Sequence, residues 1–157
     1  GAFDAAMNRI DELNLRSTLR DKALKDKVPF LGICLGMQLL VNESAEGKVK
    51  GLNLIPGKAI RFPKHSKLKV PHMGWNSVEI LQETALTAYL DPVPRFYFVH
   101  SYFVQAERPS DVMMRCKYGQ DFDAGLCYDN IFGVQFHPEK SHKFGMALLK
   151  GFAEIPC

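Results

Sequence analysis

The stretch Val28-Pro29-Phe30-Leu31-Gly32-Ile33-Cys34-Leu35-Gly36-Met37-Gln38-Leu39-Leu40 decides how the rest of the chain is read. Its first half is an apolar run of strand length, and Met37-Gln38-Leu39-Leu40 starts a helix. Gly32 and Gly36 stand two residues before and two after Cys34. This is the pattern of a nucleophile elbow, a tight strand-to-helix turn whose small neighbours let backbones approach closely. Cys34 then stands at a helix N-terminus, where unpaired N–H groups and the helix dipole favour thiolate and lower the pKa from a free value of about 8.5. The N–H of Leu35 is placed to face an oxyanion formed at that sulfur. The alternative is a buried core cysteine, since free cysteine is among the most buried residue types and G-x-C-x-G is a short pattern.

A second segment, Gln135-Phe136-His137-Pro138-Glu139, closes the apolar run Ile131-Phe132-Gly133-Val134. Taken alone, His137 reads as a structural histidine at a strand end and Glu139 as a surface charge. Taken together, the proline restricts the intervening backbone, and the carboxylate can fix the imidazole tautomer while the other ring nitrogen faces a thiol. Cys34, His137 and Glu139 are the candidate catalytic triad.

Composition excludes more than it proves. The 157 residues, 46% hydrophobic, suit one domain with a real core. Twenty basic and 17 acidic residues leave a formal charge of +3 with no basic run, which speaks against nucleic-acid binding. No apolar stretch approaches the roughly 18 residues of a membrane span. Four cysteines without a C-x-x-C pair argue against zinc or a disulfide framework and for a reducing cytoplasm. His72, His100 and His142 share no ligand spacing with Cys34, so no metal is expected.

The order of elements is α/β. Residues 3–27 read as two helices broken near Asn14, with Ala6, Ile10 and Leu13 on one face. Residues 42–57 hold Gly47, Gly51, Pro56 and Gly57 and read as loop. Strands are expected around 58–62, 77–81, 96–105, 112–118, 124–128 and 131–136, and a terminal helix over 142–152.

Both motifs together resemble the triad class of glutamine amidotransferases. The segments Lys69-Val70-Pro71-His72-Met73-Gly74-Trp75-Asn76, Phe96-Tyr97-Phe98-Val99-His100-Ser101-Tyr102 and His137-Pro138-Glu139-Lys140-Ser141 narrow the resemblance to the glutaminase subunits of imidazole glycerol phosphate synthases. The resemblance spans nearly the whole chain. It implies a class I amidotransferase (flavodoxin-like) three-layer fold, with a central mixed, largely parallel sheet and a smaller antiparallel one, as a single domain over residues 1–157. It implies L-glutamine as substrate, with Gln38, Glu46, Ser101 and Tyr102 around it, and Leu35 with the loop ending at Gly1 as oxyanion donors. It implies no cofactor, a cytoplasmic heterodimer with a (β/α)8-barrel cyclase subunit, and Met73, Trp75, Tyr97 and Lys140 on the face toward that partner. The plainer readings stay open: Gln38 as a polar helix position, Glu46 as a loop charge, Ser101 and Tyr102 as strand packing, and Trp75 as a buried plug in a Gly-flanked loop. The family's Pro-Gly-x-Gly loop precedes the position matched by Gly1, so a further N-terminal strand, helix and turn are expected. Two other functions remain: a paralogous glutaminase feeding another synthase, as in surface-polysaccharide sugar biosynthesis, and a truncated partner-binding subunit without catalysis.

Overall fold

The computed structural model describes residues 1–63 and 68–156. Helix α1 (Ala2–Glu12) and helix α2 (Leu15–Leu24) are separated at Asn14, whose φ of 54° is left-handed and ends the first helix. The buried face of α1 carries Phe3 and Met7 with Ile10 beside them, not the expected Ala6, Ile10 and Leu13. Leu13 lies 49% exposed, because it falls at the turn where the helix has already stopped.

Strand β1 (Phe30–Ile33) leads through Cys34 into the short helix α3 (Leu35–Leu39). The stretch expected to be loop holds a brief strand β2 (Glu43–Ser44), paired parallel with β3 (Gly57–Arg61). Then come β4 (His72–Ile80), β5 (Arg95–His100), β6 (Tyr102–Ala106), β7 (Val112–Tyr118), β8 (Gln120–Tyr128) and β9 (Ile131–Val134), followed by a 3-10 turn over Pro138–Lys140 and helix α4 (His142–Ala153). The run 96–105, expected as one strand, divides at Ser101: β5 pairs β4, whereas β6 pairs β3 and β8. Trp75 sits within β4, paired with Tyr97, and not in a loop. Among the described residues no helix is long and apolar enough to cross a membrane.

The sheet is mixed, as the class requires, but it is not largely parallel. Only β1–β9 and β2–β3 are parallel among the described pairings. The cause is connection length. Gly119 alone joins β7 to β8, and Asp129-Asn130 joins β8 to β9, and links this short force antiparallel pairing, whereas a parallel pair needs a long crossover. β4 turns between two partners, its first half pairing β5 and its last residues pairing β7, which gives the smaller antiparallel ribbon.

Strand β9 shows why there are three layers. Phe132 and Val134 point into a core shared with α4, and Ile131 points into a second core shared with α1, α2 and α3. Gly133 lets α3 lie against the strand, since a Cβ there would come 2.8 Å from Met37 Cγ. Phe96 and Phe136, both fully buried, stack at 3.7 Å between centroids and fix the strand exit that leads to His137. Burying side chains of this size stabilises by about 1.5–3 kcal/mol each.

Helix α4 approaches the 3-10 turn closely. A Cβ at Gly145 would lie 1.8 Å from the Pro138 carbonyl oxygen, which is backbone and cannot swing aside. Gly145→Ala is therefore expected to push α4 from the turn and destabilise the protein by about 1–3 kcal/mol, read from urea unfolding.

Candidate active site

Cys34 holds φ 51° and ψ −106°, a conformation that a side chain adopts only under strain of about 1–3 kcal/mol. What over-determines it is the last rung of the β1–β9 pairing, the Cys34 N–H donating to Val134 O at 2.8 Å. Of the two elbow glycines, only Gly32 is required by close approach: a Cβ there would lie 2.6 Å from the Gly36 carbonyl carbon and oxygen. At Gly36 an added Cβ meets nothing within 4 Å.

Because β1 and β9 run parallel, both chains leave the sheet at the same end. One carries Cys34, the other Gln135, Phe136 and His137. The His137 Nδ1 lies 2.7 Å from Glu139 Oε1, while its Nε2 is buried with no hydrogen-bond partner. An imidazole with one nitrogen committed to a carboxylate and the other unspent is arranged as a base. The segment is clamped from behind. His137 N–H donates to Tyr97 O at 2.9 Å, and Ser141 Oγ donates to His137 O at 2.6 Å and accepts from Tyr97 N–H at 3.0 Å.

The sulfur is not the free thiolate that the helix N-terminus suggested. Burial pushes the Cys34 thiol up from its ordinary value, and the nearby Glu139 carboxylate adds to this. The Leu35 N–H, the Gln135 amide and Lys140 pull the other way without prevailing. Helix α3 has only five residues, too few for a large dipole, so desolvation wins. The thiol accordingly lies 3.9 Å from Val99 O as a weak donor.

A cavity of about 310 Å³ opens onto Cys34, lined by Ala2, Leu35, Gln38, Glu46, Pro71, Val99, His100, Ser101 and Tyr102. It thus gathers Cys34, Leu35, Gln38, Glu46, Ser101 and Tyr102 from three separate segments, with Ala2 beside Gly1 at its edge. Two of these side chains are already engaged. The Glu46 carboxylate accepts from the N–H groups of Ala2 and Phe3, both at 3.1 Å, and so caps α1. Gln38, 5% exposed, donates its amide nitrogen to Tyr102 O and to Gln135 Oε1, each at 3.1 Å. On the adjoining edge Met73 and Trp75 are exposed along β4, Tyr97 faces Trp75 at 6.2 Å between ring centroids, and Lys140 is exposed on the 3-10 turn. Trp75 also stacks on His142 at 5.5 Å, so it is a surface group and not a buried plug.

Four residues next to this site have no role in the sequence reading: Gln135, Ser141, His72 and His100. His100 Nδ1 lies 2.8 Å from Tyr102 O, which can only accept, so it carries the proton and leaves Nε2 to accept from His72 Nδ1 at 3.0 Å. Burial holds both rings neutral, with pKa values lowered to about 4 for His72 and about 3 for His100. No periodicity reveals such a pair; only the β4–β5 register, which sets His72 opposite His100, brings it together.

The comparisons agree with this geometry. The family model "Glutamine amidotransferase class-I" matches residues 9–154. The subunit HisH 2 of imidazole glycerol phosphate synthase from Methanococcus maripaludis is 48% identical, over 97% of this chain and 75% of that protein. The chain belongs to the class-I glutamine amidotransferases, among the HisH subunits. The HisH subunit of Bdellovibrio bacteriovorus is 46% identical over 99% of this chain and 78% of its own length. Among solved structures, one described as a glutamine amidotransferase superposes with a TM-score of 0.67 at 13% identity, covering 92% of this chain and 71% of that one. A glutamine amidotransferase from Thermotoga maritima gives 0.60 at 20% identity, over 94% of this chain and 56% of that one. At those identities the amidotransferase structures bear on the fold alone.

The histidine pair gives this amidotransferase a pH signature. Both folded pKa values lie below the ordinary 6.5, so the unfolded chain takes up protons first as pH falls. Stability from the neutral pair is complete above about pH 6.5 and is lost as pH drops toward 4 and then 3. The urea midpoint should fall between about pH 7 and pH 5, and fall less in His100→Gln.

Proposed function

We propose that this chain is the glutaminase subunit of an imidazole glycerol phosphate synthase, hydrolysing glutamine to glutamate and ammonia for a cyclase partner. The observation that carries the reading is the site itself: a strained cysteine at the mouth of a cavity, at the same sheet end as an imidazole whose far nitrogen is held by Glu139. Relatives 48% and 46% identical that are named as HisH subunits support the choice of synthase.

Each step follows from an amide's chemistry. The Cys34 proton passes to His137 Nε2 as the sulfur attacks the side-chain carboxamide carbon of glutamine. The Leu35 N–H stabilises the oxyanion, with Gly1 as the second donor beside it. Collapse expels ammonia, which takes the proton back from His137 and leaves a γ-glutamyl thioester. Water activated by the same nitrogen cleaves it, giving glutamate and the thiol, while Glu139 keeps the tautomer throughout. Gln38, Glu46, Ser101 and Tyr102 surround the glutamine. The partner is a (β/α)8 barrel in a cytoplasmic heterodimer, where ammonia joins the ribulosyl substrate to give imidazole glycerol phosphate and the aminoimidazole carboxamide ribonucleotide. Met73, Trp75, Tyr97 and Lys140 form the docking edge. Their place fits this role, because the backbone of Tyr97 clamps the segment that carries His137.

Names numbered HisH 2, borne by the relatives from Methanococcus maripaludis and Pseudomonas aeruginosa, favour a second reading as a paralogous subunit serving another synthase. Complementation separates the two. In a strain lacking its own glutaminase subunit, this protein should restore growth without histidine; failure with a soluble, expressed protein would select the paralogue.

In the reconstituted complex Cys34→Ala should abolish glutamine-dependent synthesis and leave synthesis from ammonium salts unchanged. Loss of both would make Cys34 structural. Glutaminase activity should be very low in the isolated subunit and rise on adding the barrel with its ligand. Trp75→Ala and Lys140→Ala should weaken partner affinity or that stimulation, and variants normal in both would remove these residues from the interface.

A further inference from the structure

We propose that Gln135 is a positioning residue for the nucleophile, its side-chain N–H held against the Cys34 sulfur by Gln38 and the carbonyl of Tyr102. The proposal takes from the preceding reading only that Cys34 is the attacking group. Gln135 is fully buried, and its Nε2 lies 3.7 Å from Cys34 Sγ. Which end of each amide faces which neighbour follows from a fixed point. A backbone carbonyl only accepts, so the Gln38 group 3.1 Å from Tyr102 O must be its nitrogen. The same nitrogen meets Gln135 at 3.1 Å, which therefore presents its oxygen there and turns its N–H groups to the sulfur. Tyr102 O is itself held by His100 Nδ1, behind which stand His72 and Asn76 Nδ2, the latter 3.4 Å from His72 Nε2. All donors run one way from β4 to that carbonyl, and from Gln38 outward to Cys34.

The consequence is chemical. A neutral donor beside a buried sulfur favours the anion without adding a positive charge that would oppose protonation of His137. The other groups around Cys34 are the Leu35 N–H on α3, Glu139 and Lys140 on the 3-10 turn, and Val99 O on β5, with His137 and the neutral His100 behind. Of these, Glu139 opposes the thiolate and Lys140 is exposed, so the Gln135 N–H and the Leu35 N–H are the sheltered donors.

The test is the pH dependence of iodoacetamide alkylation of Cys34, followed by mass spectrometry of its peptide in the folded protein, together with kcat and KM for glutamine in the complex. Gln135→Met should raise the alkylation midpoint by about one pH unit, or about tenfold slower alkylation at a fixed pH below it. Gln135→Glu, which still accepts from Gln38 but turns an oxygen to the sulfur, should raise it further. Gln38→Met, which leaves Gln135 unlocked, should shift it in the same direction. In the Gln135 variants kcat should fall about tenfold with KM changed by less than about twofold, because the buried amide acts through the sulfur. Thermal unfolding establishes which variants fold, and if Gln135→Met does not, the Gln135→Glu and Gln38→Met midpoints decide. Unchanged midpoints in the folded variants, or a KM effect alone in a Gln135 variant, would overturn the proposal. Shifted midpoints in the variants, together with a wild-type protein that never turns over glutamine, would leave the positioning role standing and remove the substrate reading.

Discussion

The parallel pairing of β1 with β9 is the constraint on which the site depends. It is short, four residues on each side, and its last hydrogen bond is the one that holds Cys34 N–H to Val134 O. Beyond that bond the two strands make no further ladder with each other: one turns into α3, and the other keeps one more bond, Gln135 N–H to Ala124 O of β8, before it leaves the sheet at the same end. One residue on from Val134 is Gln135 and three on is His137. A slip of one residue would send Phe132 and Val134 into the wrong core and turn Gln135 away from the sulfur. The two cores on either side of β9 therefore set the geometry of the chemistry, because they forbid that slip.

Burial and activation pull against each other at Cys34. A cavity that excludes water strengthens every dipole aimed at a developing charge, yet the same exclusion raises the thiol above its ordinary pKa. The fold answers with neutral donors, backbone at Leu35 and amide at Gln135, and keeps the charged groups at the margin. Neutral donors hold a thiolate without fixing it permanently, which suits the nucleophile role proposed for Cys34.

Much of this was legible in the chain. The elbow, the His137-Pro138-Glu139 turn, the break at Asn14 and the terminal helix follow from local rules of spacing and turn chemistry, and the structure shows each. The strand directions were not legible from the resemblance, because hairpin links as short as Gly119 and Asp129-Asn130 decide them locally. The split at Ser101 was hidden because no Gly or Pro breaks the strand-favouring run from Phe96 to Val104, and only the change of pairing partner, from β4 to β3, reveals it. The expected pKa of Cys34 had the wrong sign for a related reason: the N-terminus of a helix can be read from sequence, but its length of five residues and the burial around it cannot. Gln135 and Ser141 were missed because they stand beside stronger letters in their motifs, and their partners Gln38 and Tyr97 lie far away in the chain.

Ser141 shows how the exposed Trp75 edge and the His137 imidazole are joined without any long path. Its hydroxyl has one proton and spends it on the His137 carbonyl, while its oxygen accepts the Tyr97 N–H, and the Tyr97 carbonyl in turn accepts the His137 N–H. The two backbones are thus closed into a ring of three hydrogen bonds, with Tyr97 on one side and the imidazole on the other. Tyr97 is also the strand partner of the exposed Trp75. A shift of β5 at that position stretches the direct bond from His137 N–H to Tyr97 O, which is backbone to backbone and which no side-chain rotation relieves. It must move the His137 segment or break a buried hydrogen bond, and breaking one costs about 1–3 kcal/mol. A displacement at the Trp75–Tyr97 pair therefore reaches the segment that carries the imidazole through that backbone hydrogen bond.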